Sequence, residues 1–445
     1  MLKMQDNVKV IKNQYMSFWM LVALVSGNMV GSGIFLLPSG LAKFGSISIL
    51  AWIFTAIGSV LLALVFCSFS RLVPKVDGGP YTYVRVGMGN FLGFQSGFGY
   101  WVSLWVGNCA ISLAMVGYLS FFFPILSDKL MTAIAAIGII WIITFFNMFG
   151  ARTVGWLQLL SMIGKTIPLL FIIFAGVWYI HPEYYLDFNR TDSSSLSALS
   201  AAASLTLWAF IGLESAAVTA SKVKNPQKNI PLATLTGTLI AAFIYIASST
   251  VIMGMVPAAE LANSNAPFAL AATEIIGQAG GIFIAIAAVI ACLGTLNGWI
   301  MVTAVVSKSI AQTNLFPKIF AKENRYGAPS FSLILSGVLM TILLLLTMSK
   351  ALVEQFELII LMAVLTALVP YFYTTISNIL VIKQQDKNSP FWQMSIIVAV
   401  LACAYSFWTI LGSGQEVVYY GMILFFLGTP IYAIAEWVNL QRKGQ

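Results

Sequence analysis

Charged residues are scarce in this 445-residue chain, and their scarcity is the first constraint on its class. Only 9% of the residues are Asp, Glu, Lys or Arg and 59% are hydrophobic, whereas soluble domains have about 25% charged residues. The single histidine, His181, argues against the imidazole clusters of most metal and acid–base enzymes. The four cysteines all lie in apolar runs and are too few for a disulfide scaffold. The composition therefore predicts an integral membrane protein.

Long apolar runs predict an all-α protein with twelve membrane-spanning helices. About 20 apolar residues cross a bilayer core of about 30 Å as a helix, and barrel strands would instead alternate in polarity over about 10 residues. We expect the eighth run to begin as an outer helix near Pro267 and to cross from Gly281 onward. The runs are residues 16–40, 46–70, 89–122, 130–149, 154–180, 197–221, 231–256, 267–310, 329–348, 353–382, 390–412 and 416–438.

The distribution of basic residues predicts that both termini face the cytoplasm. With this orientation, the outer side has only Lys43, Lys129, Arg190 and Lys350, and Lys165 lies within a span. All other lysines and arginines are then on the inner side, as the positive-inside rule predicts. The net charge of +8 is therefore interpreted as an orientation signal and not as a nucleic-acid-binding surface.

Interruptions in two spans predict a binding site. The first span contains Gly27, Gly31 and Gly33, and each glycine weakens a helix by about 1 kcal/mol relative to alanine. The sixth span contains Gly212 beside Glu214. Interrupted helices at corresponding positions of two halves indicate a transporter's binding site, and we favour this over the alternative that the small residues only allow close helix packing.

Unwound segments in both spans would suit a ligand that carries a negative and a positive group. Unwinding at Gly31–Gly33 exposes N–H groups at the positive end of a half-helix, which suits a carboxylate. Unwinding near Gly212 exposes carbonyl groups, which suit an ammonium group. The pattern indicates a receptor for the head group of an α-amino acid, although other charged ligands stay possible from these residues alone.

Several stretches resemble the amino acid–polyamine–organocation superfamily, and within it the bacterial basic amino acid–polyamine antiporters. These exchange arginine for agmatine, lysine for cadaverine or ornithine for putrescine. The resemblance covers nearly the whole chain. The matching stretches are Gly27–Gly33 with Leu36-Leu37-Pro38, Gly78–Tyr83, Leu207–Ala216, Val223–Pro226, Cys292-Leu293-Gly294 with Gly298-Trp299, Leu368–Tyr371, and Glu260–Ser264 with Ala266-Pro267-Phe268.

This resemblance implies a LeuT-type fold of two inverted repeats of five spans, with the first and sixth spans broken. The first repeat would cover residues 16–180 and the second 197–382, with spans eleven and twelve at 390–438 and cytoplasmic tails at 1–15 and 439–445. It also implies an inner-membrane exchanger of amino acids and amines, not an enzyme. No cofactor, metal or nucleic acid is expected, protons are an optional co-substrate, and a homodimer in the lipid bilayer stays open.

The resemblance also assigns residues to a site. The substrate head group would lie at Met29, Ser32 and Gly33 and at Trp208 and Ile211. Its side chain would extend toward Ser103, Leu104, Asn108 and Ile111 of span three, with Trp299 as an aromatic wall. Asn28, embedded in the first interruption, is a further candidate substrate-binding residue. Tyr100 and Glu214 match positions that the family links to gating, pH response or substrate recognition. Where the arginine–agmatine member has cysteine and serine, this chain has Leu104 and Ala363, which disfavours strict arginine selectivity.

Physical reasoning supports part of this assignment. An indole face attracts a cation by about 0.5–2 kcal/mol, so Trp208 and Trp299 suit cationic substrates. Tryptophans also form interfacial belts, an alternative that is weaker for Trp208, about 11 residues into its span, than for Trp299. Asn108 suits a distal amine or an interhelical polar contact.

Glu214 and Lys165 are the ionisable residues that we place deep in the membrane, where a charge costs several kcal/mol. Glu214 would pair with a cationic substrate, carry a proton or make a structural hydrogen bond. Lys165 departs from the antiporter pattern, whereas some proton-coupled members of the superfamily have a lysine in span five in place of sodium. It would supply proton coupling or, in the alternative, tie span five to a free carbonyl of span one. The leading function is therefore exchange, and the alternative is proton-coupled import using Lys165.

Overall fold

The computed structural model describes residues 16–31, 33–73, 79–149, 151–218, 223–383 and 390–443. Within these ranges the regular structure is helical, apart from an isolated bridge between Met16 and Val223. The all-α prediction is confirmed. The predicted tail at residues 1–15 and the end of the sixth run, residues 219–221, lie outside the described residues. The helices are α1 Phe18–Met29, α2 Gly33–Ala42, α3 Ile47–Leu72, α4 Pro80–Met88, α5 Asn90–Ser120, α6 Lys129–Asn147, α7 Ala151–Gly176, α8 Ser195–Leu207, α9 Ser215–Val218, α10 Pro226–Met255, α11 Ala258–Ala262, α12 Pro267–Ile276, α13 Gln278–Gln312, α14 Ser330–Thr347, α15 Leu352–Ile382, α16 Pro390–Gly412, α17 Gln415–Phe426 and α18 Gly428–Lys443.

The spans follow the apolar runs closely. In the described residues, 10 helical segments are long and apolar enough to cross a membrane, and α1 with α2 forms one further span that bends by 41°. Helix α7 is 26 residues long and coincides with the fifth run. Together these account for every predicted span and agree with a twelve-span, LeuT-type architecture.

The eighth run divides, as predicted, into a short helix and a long helix. Helix α12 begins at Pro267 and ends at Ile276, and α13 begins at Gln278, three residues before the predicted start of the crossing at Gly281. Gly277 joins them with φ of 67°, a left-handed conformation that glycine adopts without strain. The length of the run predicted the division, but the apolar residues did not indicate that the chain turns at Gly277, because both helices bury apolar faces.

Helix α5 lies at the centre of the bundle, because it is buried along nearly all its length, from Gly93 to Tyr118. It packs against α13 and α15. A helix enclosed on all sides needs no polar face, which explains why its sequence has no amphipathic pattern. The outer helices instead expose apolar side chains, such as Leu346 at 76% and Leu411 at 64%, and in a membrane these contact lipid.

Candidate substrate site

The first helix break lies between α1 and α2. The amide of Val30 still donates to the carbonyl of Ser26 at 2.7 Å, and regular helix resumes at Gly33. A Cβ atom on Gly33 would lie 2.5 Å from Nε1 of Trp208, and one on Gly31 would lie 3.0 Å from Cγ2 of Thr295. Glycine is therefore needed here for close approach by side chains of other helices.

The second break follows α8. One turn of 3-10 helix, Trp208–Phe210, is followed by a non-helical stretch that ends where α9 begins at Ser215. Gly212 has φ of 111°, which side-chain-bearing residues rarely adopt. The breaks are joined directly, because Nδ2 of Asn28 donates to Oγ of Ser215 at 2.8 Å.

A cavity lies between the two breaks and the buried helices α5 and α13. Its volume is about 30 Å³, which is room for a water and not for an amino acid. The indole of Trp208 reaches across it, since a Cβ atom on Gly107 would lie 2.4 Å from Cη2 of Trp208. A substrate would enter only if these walls moved apart. The wall residues are Asn28, Met29, Gly31, Gly33, Ser103, Leu104, Gly107, Asn108, Ile111, Trp208, Ala209, Ile211, Thr295 and Trp299.

Most residues that the sequence assigns to the substrate site lie in this wall. Ser32 lies outside the described residues, and Ala363 is fully buried in α15 without lining the cavity. Sequence reasoning did not select Gly107, Ala209 or Thr295. Thr295 lies four residues before Trp299 on α13, so helical spacing places both on one face and was a usable signal. Gly107 had no such signal, because its role depends on an indole from another helix.

Three oxygen atoms in the wall have no hydrogen-bond partner among the described residues. They are Oγ of Ser103, Oδ1 of Asn108 and Oγ1 of Thr295, and each side chain is at most 3% exposed. Buried polar atoms are nearly always paired in native proteins. The two hydroxyl groups can donate or accept a hydrogen bond and the amide oxygen can accept one, so this wall suits a ligand with hydrogen-bond donors or a carboxylate.

Glu214 lies outside the cavity wall and accepts three hydrogen bonds. The hydroxyl of Tyr100 donates to Oε1, and the hydroxyl of Tyr371 donates to Oε2 at 2.6 Å. The amide of Gly212 donates to Oε2 at 3.3 Å. The carboxyl group therefore links the second break to α5 and α15. The resemblance had included Tyr371 in a matching stretch, but no role was assigned to it.

Lys165 is attached to the first break. Its side chain is 2% exposed, and Nζ donates to the carbonyl oxygen of Gly27 at 2.6 Å. Gly27 is in the last turn of α1, where carbonyl groups have no partner within the helix. This is the contact that the structural alternative for Lys165 predicted.

In the described ranges, no group of three or more His, Cys, Asp or Glu side chains could hold a metal ion. The bent span, the broken sixth span and a cavity between them instead define a membrane protein with a small-molecule site at two unwound helices.

The chain belongs to the amino acid permease family, whose pattern matches residues 16–434. It is 36% identical over 426 residues to the putrescine transporter PotE of Escherichia coli K12, covering 96% of this chain and 97% of that one. It is also 36% identical to the Haemophilus influenzae PotE over 418 residues, covering 94% and 96% of the two chains. The cadaverine/lysine antiporter of E. coli K12 is 36% identical over 401 residues, with 88% of each chain covered. These relatives are transporters and not enzymes.

Proposed function

We propose that this protein is a secondary active transporter that exchanges a basic amino acid for its decarboxylated amine or for another amino acid. The observation that carries this proposal is the cavity between the two breaks, walled by the indoles of Trp208 and Trp299. Indole faces attract ammonium and guanidinium groups by about 0.5–2 kcal/mol. The relatives, a putrescine transporter and a cadaverine/lysine antiporter, support substrates of this class.

The head group of the amino acid would bind between the breaks. The first N–H groups of α2 lack partners within that helix and favour a carboxylate. They begin at Gly33, the first residue of α2, and follow Met29 and Ser32 in the chain. The ammonium group would bind near Trp208 and Ile211, where the second break leaves carbonyl groups outside a regular helix. Asn28 would hold the two segments in register through Ser215.

The far end of the substrate would lie against α5. Ser103 and Asn108 offer unpaired oxygens to a distal ammonium group, while Leu104 and Ile111 enclose its methylene groups. Leu104 gives a guanidinium no further polar partner, and Ala363 lies outside the wall. These features favour ornithine or lysine over arginine.

Tyr100 and Glu214 would act in gating or proton coupling. Their hydrogen bond joins the second break to the central helix α5, so separation of these elements has to break or re-form it. Alternating access would rock the bundle that contains the two broken spans against the remaining helices.

The organisation of the chain in the membrane is also part of this proposal. The two repeats of five spans would cover residues 16–180 and 197–382. Both termini would face the cytoplasm of a bacterium, because the basic residues concentrate on that side. The localisation would be the inner membrane.

A second candidate is a proton-coupled amino acid importer. The burial of Lys165 beside the first break supports it, because a lysine that is only 2% exposed can occupy the place of a metal ion and can change its protonation state. In this candidate Lys165 would lose a proton toward one side of the membrane and regain it from the other.

Purified protein in liposomes separates these candidates. The panel comprises labelled arginine, ornithine, lysine, their amines and neutral amino acids, at acidic and neutral pH. We expect uptake of ornithine or lysine that depends on internal amino acid or amine. Uptake into empty liposomes driven by a pH gradient alone would instead support the importer. Failure of every cationic compound to exchange would contradict the proposed substrate class.

A further inference from the structure

Thr295 has a buried hydroxyl group that the proposed function does not yet use. It lies on α13, its side chain is 3% exposed, and its Oγ1 has no partner among the described residues. Other buried threonines in these helices donate to their own backbone: Thr303 donates to the Trp299 carbonyl at 2.7 Å and Thr238 to the Thr234 carbonyl at 2.8 Å. Thr295 lacks such a bond and faces the cavity instead.

Thr295 faces the first break. A Cβ atom on Gly31 would be 3.0 Å from Cγ2 and 3.8 Å from Oγ1 of Thr295. Helix α2 begins two residues after Gly31, and its first N–H groups have no partner within the helix. A hydroxyl donor and the positive end of a 10-residue helix therefore converge on one end of the cavity.

The other two unpaired oxygens of the wall, Oγ of Ser103 and Oδ1 of Asn108, belong to α5. Nδ2 of Asn108 donates to Oγ1 of Thr303 at 3.2 Å, and Thr303 lies about 12 Å beyond Thr295 along α13 at 1.5 Å per residue. The cavity wall thus has a hydroxyl donor and the positive end of a helix near Thr295, and neutral polar groups near Asn108. An amino acid with a distal ammonium group uses both sets of groups, whereas the corresponding diamine has no carboxylate for the first.

We propose that Thr295 is a specificity-determining residue whose hydroxyl group donates a hydrogen bond to the α-carboxylate of the substrate. This inference rests on the proposed function and deepens it. It assigns to α13 a direct part in distinguishing an amino acid from its decarboxylated amine, because the amine leaves this donor without an acceptor.

The test measures binding of matched pairs, ornithine with putrescine and lysine with cadaverine, to purified full-length protein in detergent. Thr295→Val removes the hydroxyl group at nearly constant volume, and Thr295→Ser keeps it. We expect Thr295→Val to raise the Kd of the amino acids about tenfold, as for loss of a hydrogen bond to a charged group. The Kd of the diamines should change less than about twofold, and Thr295→Ser should resemble the wild type.

A matched control is Thr238→Val, which removes an equally buried hydroxyl group on α10 that bonds within its own helix. It should leave the ratio of the two Kd values unchanged. Thr295→Ala is a second hydroxyl-free variant if Thr295→Val does not yield folded protein. Equal weakening of both ligands, or no change in either, would overturn the assignment. Because the readout is binding, absence of exchange in liposomes would contradict the proposed function without deciding this one.

Discussion

The two helix breaks differ in the reason for which glycine occurs in them. At the first break, a Cβ atom on Gly33 would lie 2.5 Å from Nε1 of Trp208 and one on Gly31 would lie 3.0 Å from Cγ2 of Thr295, and neither glycine has positive φ. At the second break, Gly212 is required by its own backbone, with φ of 111°. The first break is therefore shaped by its neighbours, and the second by its local conformation.

The breaks also differ in the ionisable side chain that binds them: Lys165 at the first break and Glu214 at the second. A cation from another helix, Lys165 of α7, donates to a carbonyl of the first break. At the second break the ionisable group belongs to the segment itself, since the Glu214 carboxyl group accepts hydrogen bonds from the amide of Gly212 and from two tyrosines. Movement of α7 away from the first break would separate Lys165 from Gly27. Movement of the second break away from α5 and α15 would separate Glu214 from Tyr100 and Tyr371, while its bond to the Gly212 amide lies within the break.

The largest expected effect is that of Gly212→Ala. A side chain at positive φ costs about 1–3 kcal/mol, and the new Cβ would lie 3.3 Å from Cζ2 of Trp299. We expect a clear fall in the melting temperature of the detergent-purified protein and loss of most exchange. Gly27→Ala is the matched control at the first break, because its Cβ would have no heavy atom within 4 Å. Equal destabilisation by both changes would contradict the distinction between the breaks.

Lys165→Met should have the next largest effect. It leaves the buried carbonyl of Gly27 without its donor, which costs about 1–3 kcal/mol. We also expect slower exchange with an altered dependence on pH, measured in liposomes. Lys308→Met removes a cation from a partly exposed pair with Glu323 and should cost less than about 1 kcal/mol. If Lys165→Met loses stability but keeps the wild-type rate and pH response, its role is structural.

Tyr371→Phe should have the smallest effect. It removes one of three hydrogen bonds to Glu214, and we expect a loss of about 1 kcal/mol because Tyr100 and Gly212 remain. The pH dependence of exchange should nevertheless change, since the surroundings of Glu214 change. Tyr185→Phe, which removes a bond to the Thr250 carbonyl at 2.7 Å, is the control and should leave that profile unaltered. If Tyr371→Phe and Tyr185→Phe show the same pH dependence of exchange, the surroundings of Glu214 do not set the pH response.

The sequence predicted the spans well because the length of an apolar run is a property of consecutive residues. It also placed both breaks, since glycine content lowers local helix stability. The short helices α4 and α11 were not predicted, because neither is long enough to produce a membrane-length signal. In the site, the resemblance selected residues such as Trp208 and Asn108 that line the cavity, but not Thr295.

The sequence by itself determined the membrane class, the span positions, the two interruptions and the two deep charges. Only the tertiary structure decided which residues contact the two interruptions and the two deep ionisable side chains. Lys165 and Gly27 are 138 residues apart in the chain, and Glu214 and Tyr371 are 157 apart. Hydropathy and backbone preference act locally, whereas these contacts depend on how helices from distant parts of the chain pack around α5.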